Sequence, residues 1–219
     1  MIERAHVIGA GRVGSAFAAR LRERGLSLGP DGAQLIILCV PDRAIAAVAA
    51  EIEPGPWIAH VSGATSLTAL APHRLRFGVH PLQTLTRERG AEQLDGAWAA
   101  IGGESADALA RARWLAGTLG LRPFEIADAD HALYHAAAVF GGNYVVTLHD
   151  VATRLLTEVG APAEAIVPLM ARTIENGFDL TGPIARGDWA TVEAHLATLE
   201  ERAPDLVPLY RALADATRR

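Results

Sequence analysis

The chain has 219 residues, half of them apolar, enough for one core or for two small domains that share an interface. A formal net charge of −5, with no basic run beyond the terminal Arg218–Arg219 pair, argues against nucleic acid as a partner, since phosphate neutralisation needs a cationic face. No apolar stretch is long enough to span a bilayer, so no membrane partner is expected, and all 20 basic residues other than histidine are arginine, which excludes Schiff-base chemistry and a lysine general acid.

The start, Met1-Ile2-Glu3-Arg4, leads straight into a strand and gives the expectation of no signal peptide. The single cysteine, Cys39, excludes an intrachain disulfide, and together these point to a cytoplasmic protein. Short apolar strands then alternate with helical patterns. Ala5–Gly9 reads as a strand and Arg12–Arg24 as a helix with Val13, Phe17 and Leu21 on one stripe. Leu35–Val40 is a continuous apolar run, the signature of a strand covered on both faces. Ala44–Ile52 reads as a helix, and Trp57–Val61, Arg76–His80 and Trp98–Gly102 as strands. Asp107–Leu119 is a helix closed by Gly120, and Pro123–Ile126 is a last strand. Such alternation predicts a parallel sheet with helices on both faces.

Beyond Asp128 the pattern is purely helical. His131–Val159 reads as one long helix kinked at Gly141-Gly142. Pro162-Ala163-Glu164 opens another that runs to Asn176; Asp188 caps a third that ends near Arg202, and Pro204-Asp205 opens a short last one. The expected division is residues 1–127, a doubly wound α/β domain, and residues 128–219, an all-α domain.

Gly9, Gly11 and Gly14 form the spacing G-x-G-x-x-G between a predicted strand and a predicted helix. In that context the first glycine permits a tight turn and the second lets backbone approach a pyrophosphate. The third lets helix and strand pack closely, with the free N–H groups of the helix N-terminus facing the anion. The alternative is that the glycines serve strand–helix packing alone. One part of the usual arrangement is missing. A carboxylate about 20 residues on normally holds the adenosine ribose from the end of a second strand. Asp31 lies at that distance but in the turn Gly29-Pro30-Asp31-Gly32, and residues 26–33 are too few for a strand, a helix and two loops. The second strand and its helix are read as missing or reduced to a stub. Loss of a ribose contact of about 1.5–3 kcal/mol weakens binding roughly 10- to 150-fold unless Arg12 or Arg43 compensates at the phosphates.

Five further stretches are distinctive: Val40-Pro41-Asp42; His60-Val61-Ser62-Gly63-Ala64; Val79-His80-Pro81-Leu82-Gln83-Thr84; His135 through Gly141-Gly142-Asn143; and Thr181-Gly182-Pro183-Ile184-Ala185-Arg186-Gly187-Asp188. With these the chain resembles a family of Rossmann-like proteins whose helical C-terminal half is a domain of unknown function. That family is similar to pyrroline-5-carboxylate reductase, ketopantoate reductase and the helical domain of 6-phosphogluconate dehydrogenase. The resemblance implies an NADP- or NAD-dependent reductase acting on a small keto acid or imine, and a homodimer joined through the C-terminal helices. The cofactor would be held by Gly9, Gly11, Arg12, Val13 and Gly14. Val40, Pro41, Asp42, Ser62 and Gly63 would line its nicotinamide half. The ketopantoate reductases place a lysine on the first long helix of the helical domain, where this chain has His135.

Imidazole donates protons near neutral pH, so His135 is the candidate acid, with Asn143, His80 and Ser62 as companions. In a straight helix Asn143 would stand about 12 Å along the axis from His135, too far for both to touch one atom. Thr181 and Arg186 are the candidate substrate residues, Arg186 for an acidic group. His131 and His135 are spaced as a metal pair, but no third or fourth ligand accompanies them, and no metal is expected. Trp57, Trp98, Trp114 and Trp189 are dispersed and read as core or interface residues. The alternative to a reductase is a non-catalytic dimeric binding module that kept the glycine turn for packing.

Overall fold

The computed structural model describes residues 2–218. They form two compact units, the first ending at Thr147 and the second starting at Leu148.

The first unit is built on a seven-stranded sheet: β1 (Arg4–Ile8), β2 (Ser27–Leu28), β3 (Leu35–Leu38), β4 (Trp57–His60), β5 (Arg76–Pro81), β6 (Trp98–Gly103) and β7 (Arg122–Glu125). Their order is β2-β1-β3-β4-β5-β6-β7, and every pair is parallel except β5–β6. Side chains along a strand alternate between faces, and β3 shows why its apolar run is continuous. Leu35 and Ile37 enter a core with Phe17 and Leu21 of α1 (Arg12–Glu23) and with Leu115 and Leu119 of a later helix. Ile36 and Leu38 enter a second core with Ile45 and Ala49 of α2 (Ile45–Ala50) and with Leu67 and Leu70 of a 3₁₀ turn. The later helix is α3 (Ala106–Leu119), capped by Ser105, whose hydroxyl accepts from the Ala108 N–H, and ended by Gly120 at φ 85°.

The second strand is the stub that the short stretch implied: Ser27 and Leu28 pair with Arg4 and Ala5, and residues 29–34 run on as turns with no helix. The Gln34 side chain accepts from the backbone N–H of Glu3 (2.8 Å) and Arg4 (3.3 Å), and the Arg4 guanidinium donates to the Asp31 carbonyl. These bonds fasten the loop 29–34 to the start of β1. One expectation changes: the sheet is not wholly parallel. Segment 82–97 supplies only a 3₁₀ turn, Ala91–Leu94, which packs on α1 instead of returning along the sheet, so β6 re-enters from the same end and pairs antiparallel. Buried Gln93 holds this segment, donating to the Thr86, Arg89 and Gly90 carbonyls and accepting from the Thr86 N–H.

The expected long helix is two helices, α4 (His131–Gly141) and α5 (Asn143–Glu158), separated at Gly142 (φ −120°, ψ −74°). The second unit comprises the later part of α5 with α6 (Ile166–Glu175), α7 (Trp189–Arg202) and α8 (Val207–Thr217). Its core is Leu199, Ala203, Leu206 and Val207, packed against Val151, Leu155, Leu196 and Tyr210. Arg154 makes a two-pronged ion pair with Asp205 (2.6 and 2.9 Å), and Asp188 caps α7 through Thr191. No helix among the described residues is long and apolar enough to cross a membrane.

Candidate functional site

The glycine turn lies at the C-terminal end of β1, and its three glycines are not equivalent. Gly9 adopts φ 111°, and a Cβ there would overlap the Cys39 carbonyl at the end of β3. A Cβ on Gly14 would overlap the Gly9 carbonyl. Both are therefore demanded by strand–helix packing. Gly11 is not: it has φ −74°, which any residue adopts, and its Cβ would meet nothing within 4 Å. Its missing side chain leaves open space directly at the N-terminus of α1, where a pyrophosphate approaches in dinucleotide-binding folds.

Beside that turn Arg12, Ser15, Thr86, Arg87 and Arg89 line a cavity of about 380 Å³. Arg87 and Arg89 did not stand out in the sequence; the spacing R-x-R in Thr86-Arg87-Glu88-Arg89 was the only signal. Val40, Pro41 and Asp42 follow β3 as a turn that starts a 3₁₀ segment, Asp42–Ala44, which also carries the exposed Arg43. Burial pushes the Cys39 thiol up to about 12, so it is inert packing behind the turn.

A second cavity of about 560 Å³ is walled by residues from β5, the loop after it, β7, α4 and the start of α5. His80, His135 and Asn143 all line it, together with Gln83, Thr84, Phe124 and Tyr134. His135 on α4 and Asn143 at the start of α5, on either side of the break at Gly142, share this wall. Tyr134, missed in the sequence, is the direct partner of His80: its hydroxyl lies 2.7 Å from Nδ1. Burial, then the neighbouring His135, push His80 down to about 4, while burial pushes the Tyr134 phenol up to about 12. Near neutral pH the phenol therefore donates to Nδ1, and the His80 ring keeps its own proton on Nε2. His135 meets the His80 ring edge-on, with centroids 6.2 Å apart.

The loop after β4 supports this arrangement from behind. A Cβ on Gly63 would stand 2.8–2.9 Å from three atoms of the His80 ring, so only glycine lets the loop lie against the imidazole. Ser62 is buried and does not line the cavity. Its hydroxyl donates to Thr65 Oγ1 (2.9 Å) and accepts from the N–H groups of Ala64 and Thr65, which spends its hydrogen-bonding capacity on the loop itself. His131 lies under the same loop, with Nδ1 3.2 Å from the Gly63 carbonyl. His60, fully buried at the end of β4, has no hydrogen-bond partner for either ring nitrogen among the described residues. Burial and the charge of His131 push it down to about 4. Asp128 accepts from the Ser66 hydroxyl (2.5 Å) and the Leu67 N–H (2.9 Å), tying the start of the helical segment to the loop after β4. Among the described residues no group of three or more ligating side chains is placed to hold a metal. Thr181 and Arg186 lie in the second unit, exposed on the loop before Asp188.

No curated protein matches the chain. Solved structures share its fold at low identity. A candidate NADP oxidoreductase from Bacteroides fragilis is 22% identical with a TM-score of 0.82, covering 99% of this chain and 98% of that one. A protein from Thermotoga maritima is 23% identical with a TM-score of 0.73, covering 99% and 100%. The 1-pyrroline-5-carboxylate reductase of Streptococcus pyogenes is 19% identical with a TM-score of 0.64, covering 98% and 96%. The fold is thus that of Rossmann-like NAD(P)-dependent oxidoreductases with a helical C-terminal region. The model of the domain of unknown function DUF2520 matches residues 97–217, more than half the chain, and the protein belongs to that family.

Proposed function

We propose that the protein is an NAD(P)H-dependent oxidoreductase that reduces a small carbonyl or imine compound in the cavity walled by His80, His135 and Asn143. The observation that carries this reading is Gly11: a glycine that packing does not require, with open space where a diphosphate would sit. The turn fits the group. Gly9, Gly11, Val13 and Gly14 would hold the diphosphate on the free N–H groups of α1, and Arg12 would add a charged contact. The turn Val40–Asp42 and Gly63 would border the nicotinamide. That cofactor supplies a hydride to the substrate carbon.

The chain's own residues account for the proton and for orientation. His135 is the acid assigned to the substrate oxygen or nitrogen, because its imidazole stands on the cavity wall. The Asn143 amide orients the reacting group from the same wall. The Tyr134–His80 pair, neutral near pH 7, fixes a ring N–H without adding charge. The protein would act as a homodimer through its C-terminal helices. Leu133 and Phe140 of α4 are 77% and 69% exposed, and Leu169 and Phe178 in the second unit 62% and 71% exposed, so these apolar side chains are free to pack on a second copy.

Titration with NADPH and with NADH, followed by nicotinamide fluorescence and by thermal unfolding, tests the reading. Cofactor at about 100 times its dissociation constant adds about 2.7 kcal/mol to folded stability. Absence of any response at millimolar cofactor would instead favour the non-catalytic binding module, the reading that the two-residue β2 supports.

A further inference from the structure

The recess beside the glycine turn lies between the first turns of α1 and the loop that leads into the 3₁₀ turn Ala91–Leu94. Among the described residues its lining holds three arginines, Arg12, Arg87 and Arg89, and no aspartate or glutamate, in a chain whose net charge is −5. Guanidinium groups stay protonated at any physiological pH, so this charge depends on no titration. Arg12 and Arg87 form no ion pair among the described residues. Arg89 stands 3.9 Å from Glu92, a long exposed pair that leaves its donors available. Glu88 does not line the recess; its own N–H and the Thr86 hydroxyl hold its carboxyl below the ordinary range, with a smaller pull from Arg12.

The loop that carries Arg87 and Arg89 is fastened at both ends. Buried Gln93 binds the Thr86 N–H and the Thr86, Arg89 and Gly90 carbonyls. Arg20, buried on α1, donates to the Ala91 carbonyl (2.8 Å) and pairs with Asp95. The backbone under both guanidinium groups is therefore set before any ligand arrives, and binding has only side chains to order. A phosphoryl group presents three strong acceptor oxygens in three directions, which suits donors that come from a helix on one side and a loop on the other. We infer that this recess takes a phosphoryl group, with Arg87 and Arg89 as anion-binding residues beside Arg12. The inference rests on the reading above only for the source of that group: a dinucleotide on the glycine turn, which shares Ala10 and Arg12 with the recess, is one source, and a separate phosphorylated compound is the other.

The test titrates inorganic pyrophosphate into the full chain by calorimetry at constant ionic strength. Pyrophosphate is expected to saturate, and to bind the double variant Arg87→Ala/Arg89→Ala at least about tenfold more weakly, about 1.4 kcal/mol. Arg22→Ala/Arg24→Ala removes the same charge at the far end of α1 and is expected to keep the parent affinity. Arg87→Lys/Arg89→Lys is expected to recover part of the loss, since it restores charge without the planar fork. Circular dichroism and melting temperature stay unchanged in the Arg87 and Arg89 variants, because both side chains are exposed. The assignment is overturned if pyrophosphate does not saturate, if the Arg87→Ala/Arg89→Ala variant binds it as the parent does, if the Arg22→Ala/Arg24→Ala control weakens as much, or if malonate binds as tightly. Competition by NADPH and NADH identifies the source. If both displace pyrophosphate and both weaken in Arg87→Ala/Arg89→Ala, the group belongs to the dinucleotide. If neither cofactor binds while pyrophosphate still needs the two arginines, the dinucleotide reading fails and the recess stands as a site for a separate phosphorylated compound. If the cofactors bind and ignore the loss of both arginines, the recess assignment fails and the dinucleotide reading stands.

Discussion

Replacing each of the three turn glycines by alanine separates packing from ligand binding. At Gly9 an alanine must hold φ 111° and place its Cβ 2.7 Å from the Cys39 carbonyl carbon. The backbone strain is about 1–3 kcal/mol and the overlap about 1–3 kcal/mol more. For a chain of this size each kcal/mol moves the melting temperature by about 2–4 °C, so Gly9→Ala is expected to melt at least about 4 °C lower. Gly14→Ala behaves alike, its Cβ standing 3.0 Å from the Gly9 carbonyl carbon. Gly11→Ala has the opposite sign. Its φ of −74° and empty surroundings incur no native-state cost, and the stiffer unfolded chain adds about 0.4–1 kcal/mol. The free protein therefore melts at the same temperature or slightly higher. The methyl group, however, occupies the space assigned to the diphosphate. Saturating NADPH, expected to raise the melting temperature of the parent protein by about 5–11 °C, should leave Gly11→Ala unmoved. Differential scanning calorimetry with and without NADPH reads both effects. The reasoning is refuted if Gly11→Ala destabilises the free protein, or if it keeps the full NADPH response.

Other outcomes follow from the same geometry. Arg12→Ala is expected to weaken NADPH binding roughly 10- to 150-fold, the worth of one charged contact, with little change in melting temperature; fluorescence titration decides it. If the proposed homodimer forms through α4, Phe140→Glu is expected to give a monomer where the parent protein sediments as a dimer, because a charge replaces a 69% exposed ring. His60 and His80 are both held down to about 4 from an ordinary 6.5, so the unfolded chain takes up their protons first. Their stabilisation is whole above pH 6.5 and is lost as pH falls toward 4, roughly 3 kcal/mol for each imidazole. His60→Leu removes an unpartnered buried ring and should reduce that acid sensitivity in urea unfolding at pH 7, 6 and 5. Tyr134→Phe deletes the bond to His80 Nδ1 and is expected to lower kcat of NADPH-dependent carbonyl reduction more than it raises KM.

Features that depend on near neighbours were legible in the sequence. The glycine turn is one, since strand, turn and helix lie within residues 5–24. The two-faced burial of Leu35–Leu38 is another, because an unbroken apolar run has no polar side to expose. The shortage of chain between Gly25 and Leu35 also foretold the reduced edge, although not that Gln34 would tie its loop to the start of β1. Features that depend on distant partners were not legible. Tyr134 meets His80 across 54 positions, and nothing in His131-Ala132-Leu133-Tyr134-His135 marks the tyrosine over its neighbours. Ser62 looked like a donor to a ligand, but its hydroxyl is spent within its own loop. Strand–helix alternation predicts parallel neighbours, and the reversal at β6 comes where the alternation fails, because segment 82–97 supplies no crossover helix.

By itself the sequence determined the class of fold, the place of the glycine turn and the reduction of the second βα unit, because periodicity and turn chemistry act over a few residues and are written in them. Only the tertiary structure decided which glycine is free of packing and that His80, Tyr134, His135 and Asn143 line one cavity. Those properties arise when elements far apart in the chain pack together, and the spacing of residues along one element does not encode where another element will lie.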